Sequence, residues 1–536
     1  MQHHRFATSV LLACVALVLA PPRASACGGF FCNSPTPTNP TPMNQAAEDI
    51  VYAVGDDGSL DMIVQIAYEG DAVDFAWILP VPSIPDVDVG SDTLFDLLRA
   101  ATVPTFAVAS FSPTTEGVCA PDPACDFPSS GFGCGASAAS APMRGPDGVA
   151  LVDAGAAALD GGGVTVVARE NIGPYDSILL SGGTAEEVVT YLMNAGYDIP
   201  AETAPLLEGY VESGNSFLAL RLLAGRQTAE LQPIALHFAN EQPCLPIRLT
   251  ALATNPDLPI RAFFLANGRG VPLNYSLIEP DYADTSLFQG ITPYPTWIDT
   301  LVDEAGGHAW VTEYAGAPPP PSLGLPAVST LRRETYAQTV SALVSQGYGA
   351  EPALLSIVAR HSGLEGDAAQ RAAICLVSSF SGCEVGETAD IDALLGDVDA
   401  TITGPRLRAD ALLASRPQLT RLYTSMSAED MTLDPEFRIE PDLDPVSNVH
   451  MGTLVRMCDS AHYSVDAEVQ LRVEGRSTVW QAAVDSSPEA FCARRGGTPR
   501  GSGCAASPGS ARGGVAVAML VLGALGVVRS MRRRRR

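Results

Sequence analysis

The stretch IVYAVGDDGSLDMIVQIAY, residues 50–68, is the clearest fold signal in this chain. From Leu60 to Tyr68, apolar residues alternate with more polar neighbours, which is the pattern of a strand with one buried face. The cluster Gly55-Asp56-Asp57-Gly58-Ser59, rich in turn-forming residues, separates this run from a second apolar run, 50–54. The stretch therefore predicts an antiparallel β-hairpin.

Strand-like runs continue along the chain as far as residue 316. Helices interrupt them: Ser91 can cap one that reaches Leu98, with Asp92 in its first turn, and a capping box begins another at Thr184. The other predicted strands are 75–81, 104–111, 164–169, 175–180, 217–223, 233–238, 246–253 and 259–265.

The pattern becomes helical after a proline-rich linker at 317–326. Helices are predicted around 336–344, 354–361, 391–395, 407–413 and 419–426, and a closing hairpin at 468–473 and 478–484. The chain thus divides into a β-rich part, 27–316, and a helical part with a closing hairpin, 327–492. This order favours an α+β fold with mainly antiparallel sheet.

Cysteine content predicts a disulfide-bonded ectodomain. Ten of the twelve cysteines lie between the two terminal segments, and an even number in an exported chain favours disulfides. Sequence does not determine the pairing; the nearest pairs are Cys27 with Cys32 and Cys375 with Cys383. Residues 112–163 predict a flexible inserted loop, which two of Cys119, Cys125 and Cys134 would close.

Residues 1–26 have the order of a signal peptide. Arg5 precedes an apolar region at 10–20, and Ala24-Ser25-Ala26 forms a small-residue cleavage site. Cleavage after Ala26 is the first expectation. Lipoprotein processing is the alternative because Cys27 follows directly, but no bulky aliphatic residue stands three positions before it.

The C-terminal end combines a spacer, 493–512, that contains Cys504, an apolar run, 513–528, and an arginine-rich tail, 529–536. This pattern predicts one C-terminal transmembrane helix with a cytoplasmic tail, and so a single-pass anchor in the envelope or at the cell surface. It resembles the myxobacterial C-terminal sorting tail. That resemblance implies processing or lipid attachment at Cys504 and two partners: the membrane and a sorting machinery.

Composition excludes several classes of function. The net charge is −28, and so acidic a surface repels nucleic acid, so no nucleic-acid partner is expected. The sequence contains no lysine, which excludes a Schiff-base lysine and a P-loop. We expect no cofactor.

The candidate catalytic residues surround Gly306-Gly307-His308-Ala309-Trp310. Glycines beside a histidine and a tryptophan can line a cleft, and Glu304 and Glu313 are near in sequence. A hydrolase would need these three side chains to converge on a deep cleft. The simpler interpretation of His308 is a strand histidine with a satisfied hydrogen bond.

One segment spaces its acids like the start of a calcium loop: Asp86, Asp88 and Asp92. The twelfth position of that loop is Leu97 rather than the bidentate glutamate that such loops use, so these are weak metal candidates.

Several stretches together resemble the exported bacterial proteins catalogued as domain of unknown function 2330. The resemblance implies an exported bacterial protein and supplies no activity and no catalytic residue. The stretches are CGGFFC (27–32), MNQAAEDIVYAV (43–54), DFAWILPVPSIPDVDVGSDTLFDLL (74–98), IGPYDSILLSG (172–182), EAGGHAWVTEYAG (304–316), TRLYTSMSAEDMTLDPEF (420–437) and VSNVH (446–450).

Two hypotheses of function follow. The first is a non-enzymatic binding or structural domain of the envelope, favoured by the disulfides and by the lack of a catalytic motif. The alternative is a secreted or surface hydrolase that uses carboxylates and His308.

Overall fold

A computed structural model describes residues 30–31, 44–69, 76–126, 163–197, 199, 203–223, 230–252 and 254–500. These residues separate into two compact units. The larger unit holds the described residues up to 116, from 163 to 457 and from 468 to 482. The smaller unit holds residues 117–126, 458–467 and 483–500.

The strands, in chain order, are β1 Phe30–Phe31, β2 Asn44–Val54, β3 Leu60–Glu69, β4 Ala76–Val81, β5 Asp86–Val89, β6 Thr105–Val108, β7 Thr114–Gly117, β8 Cys125–Asp126, β9 Thr165–Ile172, β10 Tyr175–Ser181, β11 Ser216–Leu222, β12 Ile234–Phe238, β13 Leu258–Ala266, β14 Arg269–Pro272, β15 Ser276–Ile278, β16 Ala309–Gly316, β17 Gln418–Met426, β18 Phe437–Glu440, β19 Val449–Cys458, β20 Glu468–Val473, β21 Arg476–Gln481 and β22 Thr498–Pro499.

The α-helices are α1 Asp92–Thr102, α2 Ala185–Asn194, α3 Thr203–Glu212, α4 Thr285–Phe288, α5 Tyr294–Glu304, α6 Tyr336–Ser345, α7 Pro352–His361, α8 Gly366–Val377, α9 Ile391–Val398, α10 Gly404–Ser415 and α11 Pro488–Arg494. The predicted capping box at Thr184 is present, with both of its hydrogen bonds to Glu187. Ser91 precedes α1 as predicted, but its hydroxyl makes no capping hydrogen bond.

The predicted hairpin is the centre of the larger unit. β2 and β3 pair antiparallel across a turn in which Asp57 accepts hydrogen bonds from the backbone N–H and the hydroxyl of Ser59. They belong to an eight-stranded sheet with the order β15-β16-β17-β13-β2-β3-β12-β5. A second sheet has the order β1-β4-β11-β10-β9, and a third has the order β21-β20-β19-β6, with β7 beside β19.

The first two sheets and their helices form layers. Inward residues such as Tyr52 of β2 and Leu218 of β11 share one core between the two sheets. Helices α2 and α3 cover the outer face of the second sheet, and α1 and α10 cover the outer face of the eight-stranded sheet. Helices α6 to α9 surround a core of their own.

The segment 419–426 was predicted to be a helix, and this prediction is wrong. It is strand β17, which pairs with β13 on one side and β16 on the other. Leu419, Leu422 and Met426 recur at helical spacing, but every residue from Leu419 to Met426 is buried. A strand buried on both faces loses the alternation that identifies strands, so short apolar runs are ambiguous.

Two further predictions need correction. The segment 246–253 was predicted to be a strand, but its described residues, 246–252, form none; Leu245, Ile247 and Leu249 are buried alternately, and a 3₁₀ turn at Thr250–Leu252 follows. Residues 112–126, predicted as part of a flexible insert, contain β7 and β8. The rest of that insert, 127–162, lies outside the described residues.

The predicted fold class included a C-terminal transmembrane helix, and it is corrected to an α+β fold with mostly sheet. Among the described residues, no helix has the length and apolar character needed to cross a membrane. The run 513–528, from which that helix was predicted, lies outside the described residues, as do the predicted signal peptide, Ala26 and Cys504.

Candidate functional site

Helix α5, strand β16 and the turn between them place the three candidate catalytic residues in different surroundings. Glu304 is the last residue of α5 and is exposed to solvent. Gly306 and Gly307 turn the chain into β16, and His308 lies in this turn. Glu313 lies within β16 and is fully buried.

The side chain of His308 is hydrogen-bonded to the loop that follows β17. Its Nε2 lies 2.7 Å from the carbonyl oxygen of Asp430, which can only accept a hydrogen bond, so Nε2 carries the proton and donates. The ring also meets the edge of Tyr275. Gly307 has φ +81°, and a Cβ there would lie 2.1 Å from the Asp430 carboxylate, so a glycine is needed for this approach. His308 is thus a structural histidine with a satisfied hydrogen bond.

Glu313 lies at an irregularity in β16. The register with β17 shifts between Thr312 and Tyr314, so Glu313 is the extra residue of a β-bulge. Its carboxylate forms an ion pair with Arg421 of β17, whose side chain is also buried. Burial raises the pKa of Glu313, and the charge of Arg421 lowers it in part. The hydroxyl of Tyr294 also approaches the carboxylate, without the geometry of a formed hydrogen bond.

Aromatic residues extend this arrangement towards the third sheet. Tyr282 stacks on His450 of β19 with ring centroids 3.8 Å apart, and Phe106 stacks on the same imidazole at 5.1 Å. Nδ1 of His450 lies 2.8 Å from Glu474, whereas its Nε2 is buried and has no hydrogen-bond partner among the described residues. We call Tyr282, Tyr294, Glu313, Arg421 and His450 the buried polar cluster.

The buried polar cluster contains groups that proton transfer uses: a carboxylate, an imidazole and two phenols. Their arrangement is nevertheless that of a packed core, because the carboxylate is paired and the imidazole is stacked against two aromatic rings. An open groove along α6 and a small cavity at the start of α1 and α7 are lined by other residues. The buried polar cluster therefore joins α5, β16, β17 and β19 to one another.

His308, Glu304 and Glu313 do not meet. The partners of His308 are Tyr275, Asp430 and Thr432, whereas those of Glu313 are Arg421 and Tyr294. Sequence reasoning missed the partners of Glu313. A signal for them existed, because Glu313 and Arg421 are single charges of opposite sign within two otherwise uncharged strands, and buried charges need partners.

The three calcium candidates are also separated. Asp86 is exposed on β5, and Asp88 pairs with Arg408 at 3.0 Å. Asp92 turns inward and accepts a hydrogen bond of 2.6 Å from Gln65. Within the described ranges, no group of three or more His, Cys, Asp and Glu side chains is arranged to hold a metal ion.

A family profile described as "Uncharacterized protein conserved in bacteria (DUF2330)" matches residues 21–342, more than half of the chain. The chain belongs to this family. No curated protein and no solved structure matches it. In this DUF2330 protein the matched range contains Tyr282, Tyr294 and Glu313, and it ends before Arg421 and His450.

Disulfides join distant parts of the DUF2330 chain. Cys119 pairs with Cys458 and Cys125 with Cys492, both within the smaller unit. Because Cys119 and Cys125 are both paired elsewhere, the expectation that two of Cys119, Cys125 and Cys134 close the insert is wrong. Cys375 and Cys383 are joined at the end of α8. Cys27, Cys32 and Cys134 lie outside the described residues.

These disulfides point to an extracytoplasmic location, because they persist in oxidising compartments and are rare in the cytosol. Cys244 forms no disulfide with a described residue. Burial, followed by the nearby charges of Asp434 and Glu436, raises the pKa of its thiol to about 12. A thiol of this kind is a poor nucleophile, so Cys244 is not a candidate for covalent catalysis.

Proposed function

We propose that this DUF2330 protein is an exported component of the bacterial envelope that binds or supports another envelope component without catalysing a reaction. The observation that carries this proposal is the separation of the candidate acids and base. Glu304 is in solvent, His308 fastens a loop and Glu313 is held in an ion pair. A hydrolase built on these three residues would need them in one cleft.

Binding to isolated cell-wall polysaccharide tests the non-enzymatic role. The purified protein is incubated with insoluble cell-wall material, and both co-sedimentation and release of soluble sugar or peptide are measured. The proposal expects co-sedimentation without release. Release of soluble product that is lost in His308→Ala and retained in Asp86→Asn would contradict it.

We also infer that residues 1–26 direct export, that cleavage follows Ala26, and that a sorting machinery processes the chain or attaches lipid at Cys504. Intact mass and peptide mapping of the protein from the envelope fraction test both positions. The expected N-terminus is Cys27, and Cys504→Ser should abolish the C-terminal change. A mature chain that retains residues 1–26 would refute cleavage after Ala26. A C-terminal mass that does not respond to Cys504→Ser would refute processing or lipid attachment at Cys504.

A further inference from the structure

We draw no further inference here: the strongest candidate, the exposed apolar pair of Ile374 near the end of α8 and Phe380 in the loop that the Cys375–Cys383 disulfide closes, carries no proposal because nothing in the described part of the chain shows what would cover these two side chains.

Discussion

At the scale of the residue, the most unusual feature of this protein is a buried ion pair. Glu313 and Arg421 are both buried and form one ion pair within the buried polar cluster. Removing one partner of such a pair leaves the other charge in a medium that solvates it poorly. The cost of that loss exceeds the net contribution of the intact pair, so single and double substitutions should behave differently.

We expect Glu313→Gln to lower the free energy of unfolding by about 3–5 kcal/mol, measured by urea denaturation. The double variant Glu313→Gln/Arg421→Met should recover part of this loss, because no unpaired charge remains. Glu304→Gln is the matched control on the exposed end of α5 and should change stability by less than about 0.5 kcal/mol. A Glu313→Gln protein as stable as this control would show that the pair is not buried as described.

The raised pKa of the Glu48 carboxyl group should make the stability of the protein depend on pH. Glu48 is 5% exposed on β2, and its carboxylate accepts one hydrogen bond, 2.8 Å, from Gln45. Burial raises its pKa from the usual 4.5 to about 7; Gln45 lowers it in part and Asp49 raises it. A raised carboxyl pKa contributes stability that is fully present below 4.5 and is lost as pH rises through 7.

The free energy of unfolding should therefore fall between pH 4.5 and pH 8, and Glu48 should account for on the order of 3 kcal/mol of the decrease. Urea denaturation across this range is the measurement. Glu48→Gln should flatten the profile, with a smaller slope of the same sign left by Asp92, whose pKa is raised to about 6. Parallel profiles for the wild type and Glu48→Gln would exclude this role for Glu48.

At the scale of the element, strand β17 shows where sequence reasoning succeeds and where it fails. The hairpin β2–β3 was predictable because Asp61, Gln65 and Glu69 interrupt the apolar residues of β3 at even spacing, and because the turn before it is rich in glycine and aspartate. Strand β17 was not, because its two faces are both buried and Leu419, Leu422 and Met426 imitate a helical stripe. Its identity depends on β13 and β16, which come from parts of the chain more than 100 residues earlier.

Prediction of the candidate sites from sequence is limited in the same way, because a sequence pattern records only local arrangements. Gly307 and His308 were noticed because their residue types are unusual together, and the structure gives them a local role in a turn. The partners of Glu313 and the lining of the small cavity come from separate elements, so no spacing in the sequence records them. The predicted capping box at Thr184 is fully local, and it formed as expected.

Leu422 tests the central position of β17. It is fully buried in the core between the two sheets, whereas Leu407 on α10 is 54% exposed. Leu422→Ala should cost about 2–5 kcal/mol in free energy of unfolding, because it removes buried apolar area and leaves a cavity. Leu407→Ala should change stability by less than about 0.5 kcal/mol. Similar small losses for both variants would mean that β17 is peripheral.

At the scale of the whole molecule, the smaller unit depends on covalent cross-links. Its described residues come from three separate stretches, and two disulfides join them. So small a group of residues buries too little surface to be stable without such bonds. The bonds also close very long loops, with sequence separations of 339 and 367, which in the chain-entropy account gives large stabilisation.

We therefore expect the double variant Cys125→Ser/Cys492→Ser to lose the order of the smaller unit. Hydrogen exchange should accelerate across residues 458–467 and 483–500, while the eight-stranded sheet keeps its protection. Cys375→Ser/Cys383→Ser is the control, because that disulfide spans a separation of only 8 residues in the larger unit. Unchanged exchange in the smaller unit of the first variant would show that its fold does not need this cross-link.

A non-reducing peptide mass map of the protein recovered from the envelope fraction tests the central claim most directly: an extracytoplasmic protein closed by long-range disulfides. It should show Cys119–Cys458, Cys125–Cys492 and Cys375–Cys383 linked, and Cys244 alkylated at pH 8 only after unfolding. Fully reduced cysteines would contradict the extracytoplasmic location, and a linkage between Cys119 and Cys125 would contradict the fold of the smaller unit.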